Sequence, residues 1–269
     1  MSLMLKYQCD DCGAEHDDQP FECRRCGHKY SVKVRVVTRA ASRQQAGYES
    51  GICVAAEQVT PKKTDKLSTG LPRLDVILEG GLVPQTMTAL SGAPGSGKSR
   101  LARQIAATFA RRAGRRALLI SAEEPNEQVR ANLDAMGLPA SLFDLVYSGD
   151  LAAFEPVIVD KRPSLCLFDS LQYLDDSRLD GGNKTRRLDA FKRLRNVLLQ
   201  RRTTAITIVH VNAEDEVADD RNFERLVDAH LFIGQPMGKA SPARKIEVRK
   251  GRFYAPLEGY MTMTARGIQ

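Results

Sequence analysis

The 269-residue sequence contains no tryptophan, no apolar run approaching a membrane span, no internal repeat and no dedicated basic arm. A helix crossing a bilayer needs about 20 consecutive apolar residues, so no transmembrane helix is expected. The first residues include Lys6, Cys9, Asp10 and Asp11, where a secretion signal would need an apolar stretch. The expected location is therefore the cytoplasm, with no membrane partner. The net charge of +7 favours polyanionic partners, but it is spread along the chain. Residues 1–66 carry 11 Lys/Arg against 9 Asp/Glu. What remains is an ordinary globular composition, 42% hydrophobic and 27% charged, long enough for one large domain and something small.

Cysteine is sparse outside one cluster. Cys53 falls in a polar stretch and Cys166 inside an apolar strand pattern, and both read as passive. The other four form Cys9-x₂-Cys12-x₁₀-Cys23-x₂-Cys26. Each Cys-x-x-Cys turn presents two thiolates to one tetrahedral ion, and four thiolates select Zn²⁺ in a closed, structural site. A module this small has almost no core, so zinc would supply its folding energy. A redox role for either pair is the competing reading. The expected division is a four-cysteine zinc module over 1–32, a linker over 33–60 whose head alternates like one edge strand, and a core over 61–269.

From about residue 66 the pattern alternates strand and helix, the mark of an α/β fold with a mostly parallel sheet. Within it, "SGAPGSGKSR" at 91–100 completes G-x-x-x-x-G-K-[ST]. A buried strand "TMTAL" precedes it, and Leu101, Ile105 and Phe109 follow at helical spacing. Gly92, Ala93, Pro94, Gly95, Ser96, Gly97, Lys98 and Ser99 would wrap a triphosphate. Backbone N–H groups then face its oxygens, Lys98 reaches the β- and γ-phosphates, and the Ser99 hydroxyl ligates Mg²⁺. The following helix N-terminus adds its positive end.

Carboxylates are expected at the ends of two later strands. "PSLCLFDS" ends at Asp169, placed to hold Mg²⁺ with Ser99. "RALLISAEEP" ends in Glu123 and Glu124, either of which could orient or deprotonate the attacking water. "TTAITIVHVN" brings His210 and Asn212 to the same edge, either as γ-phosphate sensors or as groups satisfied by backbone. Further on, Lys184, Arg186 and Arg187 begin a basic helix after the Gly181–Gly182 loop. Such a run either tracks a single-strand backbone or is a solvated face. Tyr173 nearby could stack on a base.

These motifs, in this order, resemble the RadA/Sms family, RecA-superfamily ATPases of recombinational repair related to DnaB-type helicases. "ISAEEP" is similar to the segment with the family's catalytic glutamate and favours Glu123. "LCLFDSLQ" resembles its second nucleotide motif, ending at Asp169, Ser170 and Gln172. "IVHVN…RLVDAHLFI" looks like the stretch with its second DNA loop, although Ala213 and "EDEVADD" replace an expected lysine. "RKGRFY" is similar to the family's Lys-Asn-Arg-Phe-Gly signature, with Gly251 and Tyr254 at the Asn and Gly positions. The resemblance implies that Lys250 and Arg252 complete a neighbouring subunit's ATP site and that Lys250 couples it to DNA. It implies a RecA-like core, ATP, Mg²⁺ and Zn²⁺, a homo-oligomer, single-stranded or branched DNA, and a recombinase or replicative-helicase partner. The family continues into a Lon-protease-like domain, which is not expected within these 269 residues. The expected function is a DNA-dependent recombination motor, with a nucleotide-switched adaptor as the rival and a small-molecule kinase as a weaker third.

Overall fold

The computed structural model describes residues 65–211, 221–236, 241–264 and 267–268, the backbone of strands within 2–39, and the isolated positions 14, 25, 26 and 56. The chain divides into two compact units, Met1–Val54 and Ala55–Gln269.

The first unit contains β1 (Ser2–Cys9), β2 (Glu15–His16) and β3 (Val32–Arg39) in the order β2-β1-β3. Both pairings are antiparallel. Residues 33–39, the head of the expected linker, which the sequence reads as one edge strand, pair along their whole length with β1. The alternating "VKVRVVTR" accounts for the strand. Cys12 and Cys23 lie outside the described residues, as does Cys53.

The second unit is built on one nine-stranded sheet. Its elements run α1 (Pro72–Ile77), β4 (Met87–Gly92), α2 (Lys98–Ala113), β5 (Ala117–Ser121), α3 (Asn126–Ala135), β6 (Phe143–Tyr147), α4 (Leu151–Lys161), β7 (Leu165–Asp169), α5 (Asn183–Gln200), β8 (Thr204–His210), α6 (Arg221–Leu226), β9 (Ala229–Pro236), β10 (Ala243–Gly251), β11 (Glu258–Thr264) and β12 (Gly267–Ile268). Strand order is β12-β11-β10-β9-β4-β8-β7-β5-β6. The six strands from β9 to β6 are parallel, and β10, β11 and β12 extend the sheet antiparallel. No described helix is long and apolar enough to cross a membrane.

Apolar residues on both faces of the parallel strands explain their near-continuous hydrophobic runs. Leu90, Leu119, Leu167 and Ile206 face one layer, in which α1, α2 and α3 pack. Ala89, Leu118, Ile120, Cys166, Phe168 and Ala205 face the other, against α4, α5 and α6. Phe154 and Phe191 are fully buried in that second layer, each stabilising the fold by roughly 1.5–3 kcal/mol. Burial pushes the Cys166 thiol far up, which keeps it inert. Helix α2 ends where Gly114 takes a left-handed backbone, with Arg111 and Arg112 favourably placed in its last turn.

The register aligns strand ends. Gly92 of β4 lies opposite His210 of β8, and Ser121 of β5 opposite Asp169 of β7. The residues with chemistry in the sequence thus arrive at one carboxyl edge, where ligands bind in open α/β sheets.

Candidate active site

A cleft of about 580 Å³ opens at that edge, lined by the phosphate loop, Glu123, Glu124, Asp169, His210 and residues of the antiparallel extension. Two glycines shape the loop. Gly92 has φ +146°, and a side chain there would run into the Ile233 carbonyl. Gly97, with φ +102°, is the residue before α2, and a Cβ there would strike the Met263 side chain. Only glycine meets both the backbone angle and the close approach. The Gly95 position is open, with no atom near a would-be Cβ.

Lys98 is buried, and its ammonium donates to the Gly92 carbonyl at 2.7 Å and the Ala93 carbonyl at 3.0 Å. Burial lowers its pKa, while the charges of Asp169 and Glu123 act the other way. One donor direction of the ammonium is left over, aimed by these two bonds. Ser99 Oγ donates to Asp169 Oδ2 at 2.7 Å. Burial raises the Asp169 carboxyl; the Ser99 hydrogen bond and Arg103 oppose this, and the charges of Glu123 and Glu124 add to it. A half-buried carboxylate with a hydroxyl at its oxygen is a donor pair suited to a hard cation such as Mg²⁺.

The two adjacent glutamates have different surroundings. Glu124 is held: Arg103 Nη2 donates to its Oε2 at 2.7 Å, Asn132 Nδ2 donates to the same oxygen at 3.1 Å, and its N–H reaches Ser121 Oγ at 2.8 Å. Glu123 lines the same cleft in different company. Its Oε1 accepts from Ser170 Oγ and lies 3.2 Å from His210 Nε2. Gln172 fixes His210 from behind, accepting from its N–H at 3.2 Å and donating to its carbonyl at 3.3 Å. Asn212, Ala213 and the acidic residues after them lie outside the described residues.

Sequence reasoning missed Arg103, whose signal was available: it stands one helical turn after Ser99, on the same face. It also missed Arg244 and Met263, which come from β10 and β11 to line the cleft. No local pattern announces them, because only tertiary folding of the antiparallel extension brings them there.

Lys250 and Arg252 are not at this cleft. Gly251 pairs with Ala229 at the start of β9, level with Thr88, whereas the phosphate loop leaves β4 level with Ile233. That separation is four residues of strand, roughly 13 Å. Arg252 Nη1 donates to Asp228 Oδ1 at 2.9 Å, and Lys250 Nζ donates to the Glu224 and Val227 carbonyls, the latter at 3.0 Å. Burial and the neighbouring Arg252 charge push the Lys250 pKa down.

On α5, Lys184 is exposed and Arg187 half-buried in the opening turns. Arg186 makes a two-pronged ion pair with Asp175, one bond being 2.9 Å. Further along, Lys192 pairs with Asp189, Arg193 with Glu155, and Arg195 lies 3.5 Å from Asp228. Tyr173 is exposed beside them. Of the four cluster cysteines, Cys26 is exposed and Cys9 ends β1. No cluster of three or more metal-ligating side chains occurs among the described residues.

Comparison with known proteins fits this geometry. The family described as "ATPase: KaiC" matches residues 67–162. The DNA repair protein RadA of Mycobacterium tuberculosis is 31% identical over 254 residues, covering 91% of this chain and 52% of that protein. RadA of Haemophilus influenzae is 26% identical, covering 98% and 58%, and RadA of Escherichia coli 25%, covering 98% and 59%. The chain thus spans between half and three fifths of the length of these relatives. A KaiC-like protein of Pyrococcus horikoshii shares the fold, with a TM-score of 0.64 at 18% identity over 77% of this chain and 98% of that one. The chain is thus similar to RadA proteins over nearly its whole length, and its residues 67–162 match a KaiC-type ATPase family.

Proposed function

We propose that the chain hydrolyses ATP at the carboxyl edge of its sheet and couples turnover to single-stranded or branched DNA, as a motor of homologous recombination and repair in the cytoplasm. What carries this reading is the placement of Glu123. It lines the cleft on Ser170 and His210, across from Lys98, Ser99 and Asp169, while Glu124 is committed to Arg103.

In this reading Gly92 to Ser99 hold the triphosphate, with Lys98 exchanging its loop carbonyls for phosphate oxygens. Ser99 and Asp169 hold Mg²⁺, which supplies neutralisation of phosphate charge. Glu123 orients and deprotonates the attacking water, and His210, fixed by Gln172, keeps that carboxylate in place. The work is positioning and electrostatics, with no covalent intermediate. Lys250 and Arg252 serve the ATP of a neighbouring copy, a role supported by their location at the opposite sheet edge from their own phosphate loop. Lys184, Arg186, Arg187 and Lys250 face DNA. Cys9, Cys12, Cys23 and Cys26 hold structural zinc, supported by spacing alone. A recombinase or replicative helicase is the expected protein partner.

Measuring ATP turnover with and without single-stranded DNA tests the reading, and a motor shows stimulation. A second reading, a nucleotide-switched adaptor that assembles and recruits without translocating, is favoured by one observation. Arg186, Lys192 and Arg193 already have acidic partners within the chain. Turnover indifferent to DNA, with nucleotide-dependent assembly retained, selects it.

A further inference from the structure

The nucleotide site does not use the histidine buried beside its own strand. His230 of β9 pairs with Ala89 of β4 and is 1% exposed. Its Nε2 lies 2.6 Å from the Oγ of Ser91, a side chain that is itself 0% exposed. Ser91 immediately precedes Gly92, whose carbonyl holds Lys98. On the other side of the ring, Nδ1 lies 3.0 Å from Glu224 Oε1 on α6. The main-chain carbonyl of that same Glu224 accepts from Lys250.

A neutral imidazole has one donor and one acceptor. Both contacts are attractive in only one arrangement: the Ser91 hydroxyl donates to Nε2, and the Nδ1 proton faces the Glu224 carboxylate. Burial lowers the His230 pKa and favours this neutral form. Arg249 acts in the same direction, and Glu224 and Glu247 oppose it. These side chains, from β4, α6 and β10, make up the charged and polar surroundings of the ring.

We infer that His230 is a positioning residue that ties the end of the phosphate-loop strand to α6, so that nucleotide held by the loop is felt at α6 and at the Lys250 anchored there. This rests on the ATP reading above. A shift of β4's end moves Ser91. Because both Ser91 and His230 are buried, breaking their bond would leave polar groups without water to replace it. The movement therefore passes to Glu224.

The test is amide hydrogen exchange across 221–227, with and without ATPγS and Mg²⁺, alongside affinity for a fluorescent ATP analogue. In the wild-type chain the nucleotide should slow exchange there about fivefold or more, the low end of ordinary coupling between sites. Ser91→Ala should lose most of that response while binding the analogue nearly as well. His230→Val should behave alike, and His230→Gln, which keeps a donor and an acceptor, should recover part of it. An undiminished response in Ser91→Ala overturns the inference, as does a loss in His230→Val that Ser91→Ala does not share. Wild-type chain that binds the analogue without any response at 221–227 overturns it too, leaving the ATP reading intact. Failure of the wild-type chain to bind the analogue at all instead removes the ATP reading, and this inference with it.

Discussion

Gly251 and Tyr254 occupy one another's space: a Cβ on Gly251 would lie 2.8 Å from the Tyr254 Cβ and 2.9 Å from its carbonyl oxygen. These are the two positions where the chain departs from the Lys-Asn-Arg-Phe-Gly pattern, so the departures compensate each other. Tyr254 is buried, and its hydroxyl accepts from the Val83 N–H at 2.8 Å. Burial pushes its phenol up to about 12, only partly offset by that bond. Gly251→Ala is expected to lower stability by about 1–3 kcal/mol through overpacking. Tyr254→Phe, which strands a buried N–H, is expected to cost about 1–3 kcal/mol. Urea unfolding measures both. In Gly251→Ala/Tyr254→Gly, where the Tyr254 Cβ is gone, the loss should be less than the sum of the Gly251→Ala and Tyr254→Gly losses.

The two cleft residues of opposite charge should fail differently. Lys98→Ala removes the cation at the β- and γ-phosphates and should weaken nucleotide binding as well as turnover. Glu123→Gln should keep binding while slowing turnover about 10²–10⁴-fold, the usual contribution of a general base. Glu124→Gln should act mainly by releasing Arg103. Steady-state turnover beside fluorescent-nucleotide affinity separates the three, and normal turnover in Glu123→Gln would transfer the base role elsewhere.

The proposed Mg²⁺ role of Asp169 makes a prediction about pH. Its raised carboxyl pKa means that its protonated form is the one the ligand-free fold favours. That contribution is full below the ordinary carboxylate range and disappears as pH rises through the raised value. At pH values above its raised pKa the ionised, half-buried Asp169 therefore weakens the ligand-free fold, and Mg²⁺ should relieve this. Mg²⁺ is expected to raise the melting temperature by a few degrees at neutral pH, with a smaller effect in acid. Asp169→Asn should melt higher than wild type without Mg²⁺ and gain nothing from it. A Mg²⁺ shift surviving in that variant would place the cation elsewhere.

Arg252 sits at the far sheet edge from its own phosphate loop, so its loss should leave nucleotide binding intact. Arginine fingers contribute about 10³–10⁵ in rate. Arg252→Ala and Glu123→Gln subunits, each nearly inactive alone, should recover activity when mixed, because some contacts pair an intact Glu123 with an intact Arg252. Verified co-assembly without recovery would reduce Arg252 to the partner of Asp228.

Much of the active-site edge was legible because its residues end apolar runs. "TMTAL", "ALLIS", "LCLFD" and "TAITIVH" are buried strands, and in a parallel sheet their ends converge. The loop glycines declare themselves by spacing. The distinction between Glu123 and Glu124 was not legible from local pattern, since it depends on Arg103 arriving from α2. The basic run of α5 read either as a face tracking DNA or as a solvated one, and sequence pattern did not reveal that Arg186, Arg193 and Arg195 meet acids supplied by Asp175, Glu155 and Asp228. Tyr254 read as a departure within a motif. Its partners, Gly251 and the Val83 N–H, show it to be a packing solution.

The strand order carries a consequence for how the chain is made. β4, which ends in the phosphate loop, has β8 and β9 as its neighbours: Met87 lies opposite Ala205 and Thr88 opposite Ala229. Both neighbours emerge from the ribosome long after the loop itself, and closing such distant contacts is slow. The phosphate loop is therefore framed only after β8 and β9 have been made. A fragment ending at Gln200 would contain the whole loop sequence and Asp169, yet should bind no ATP analogue.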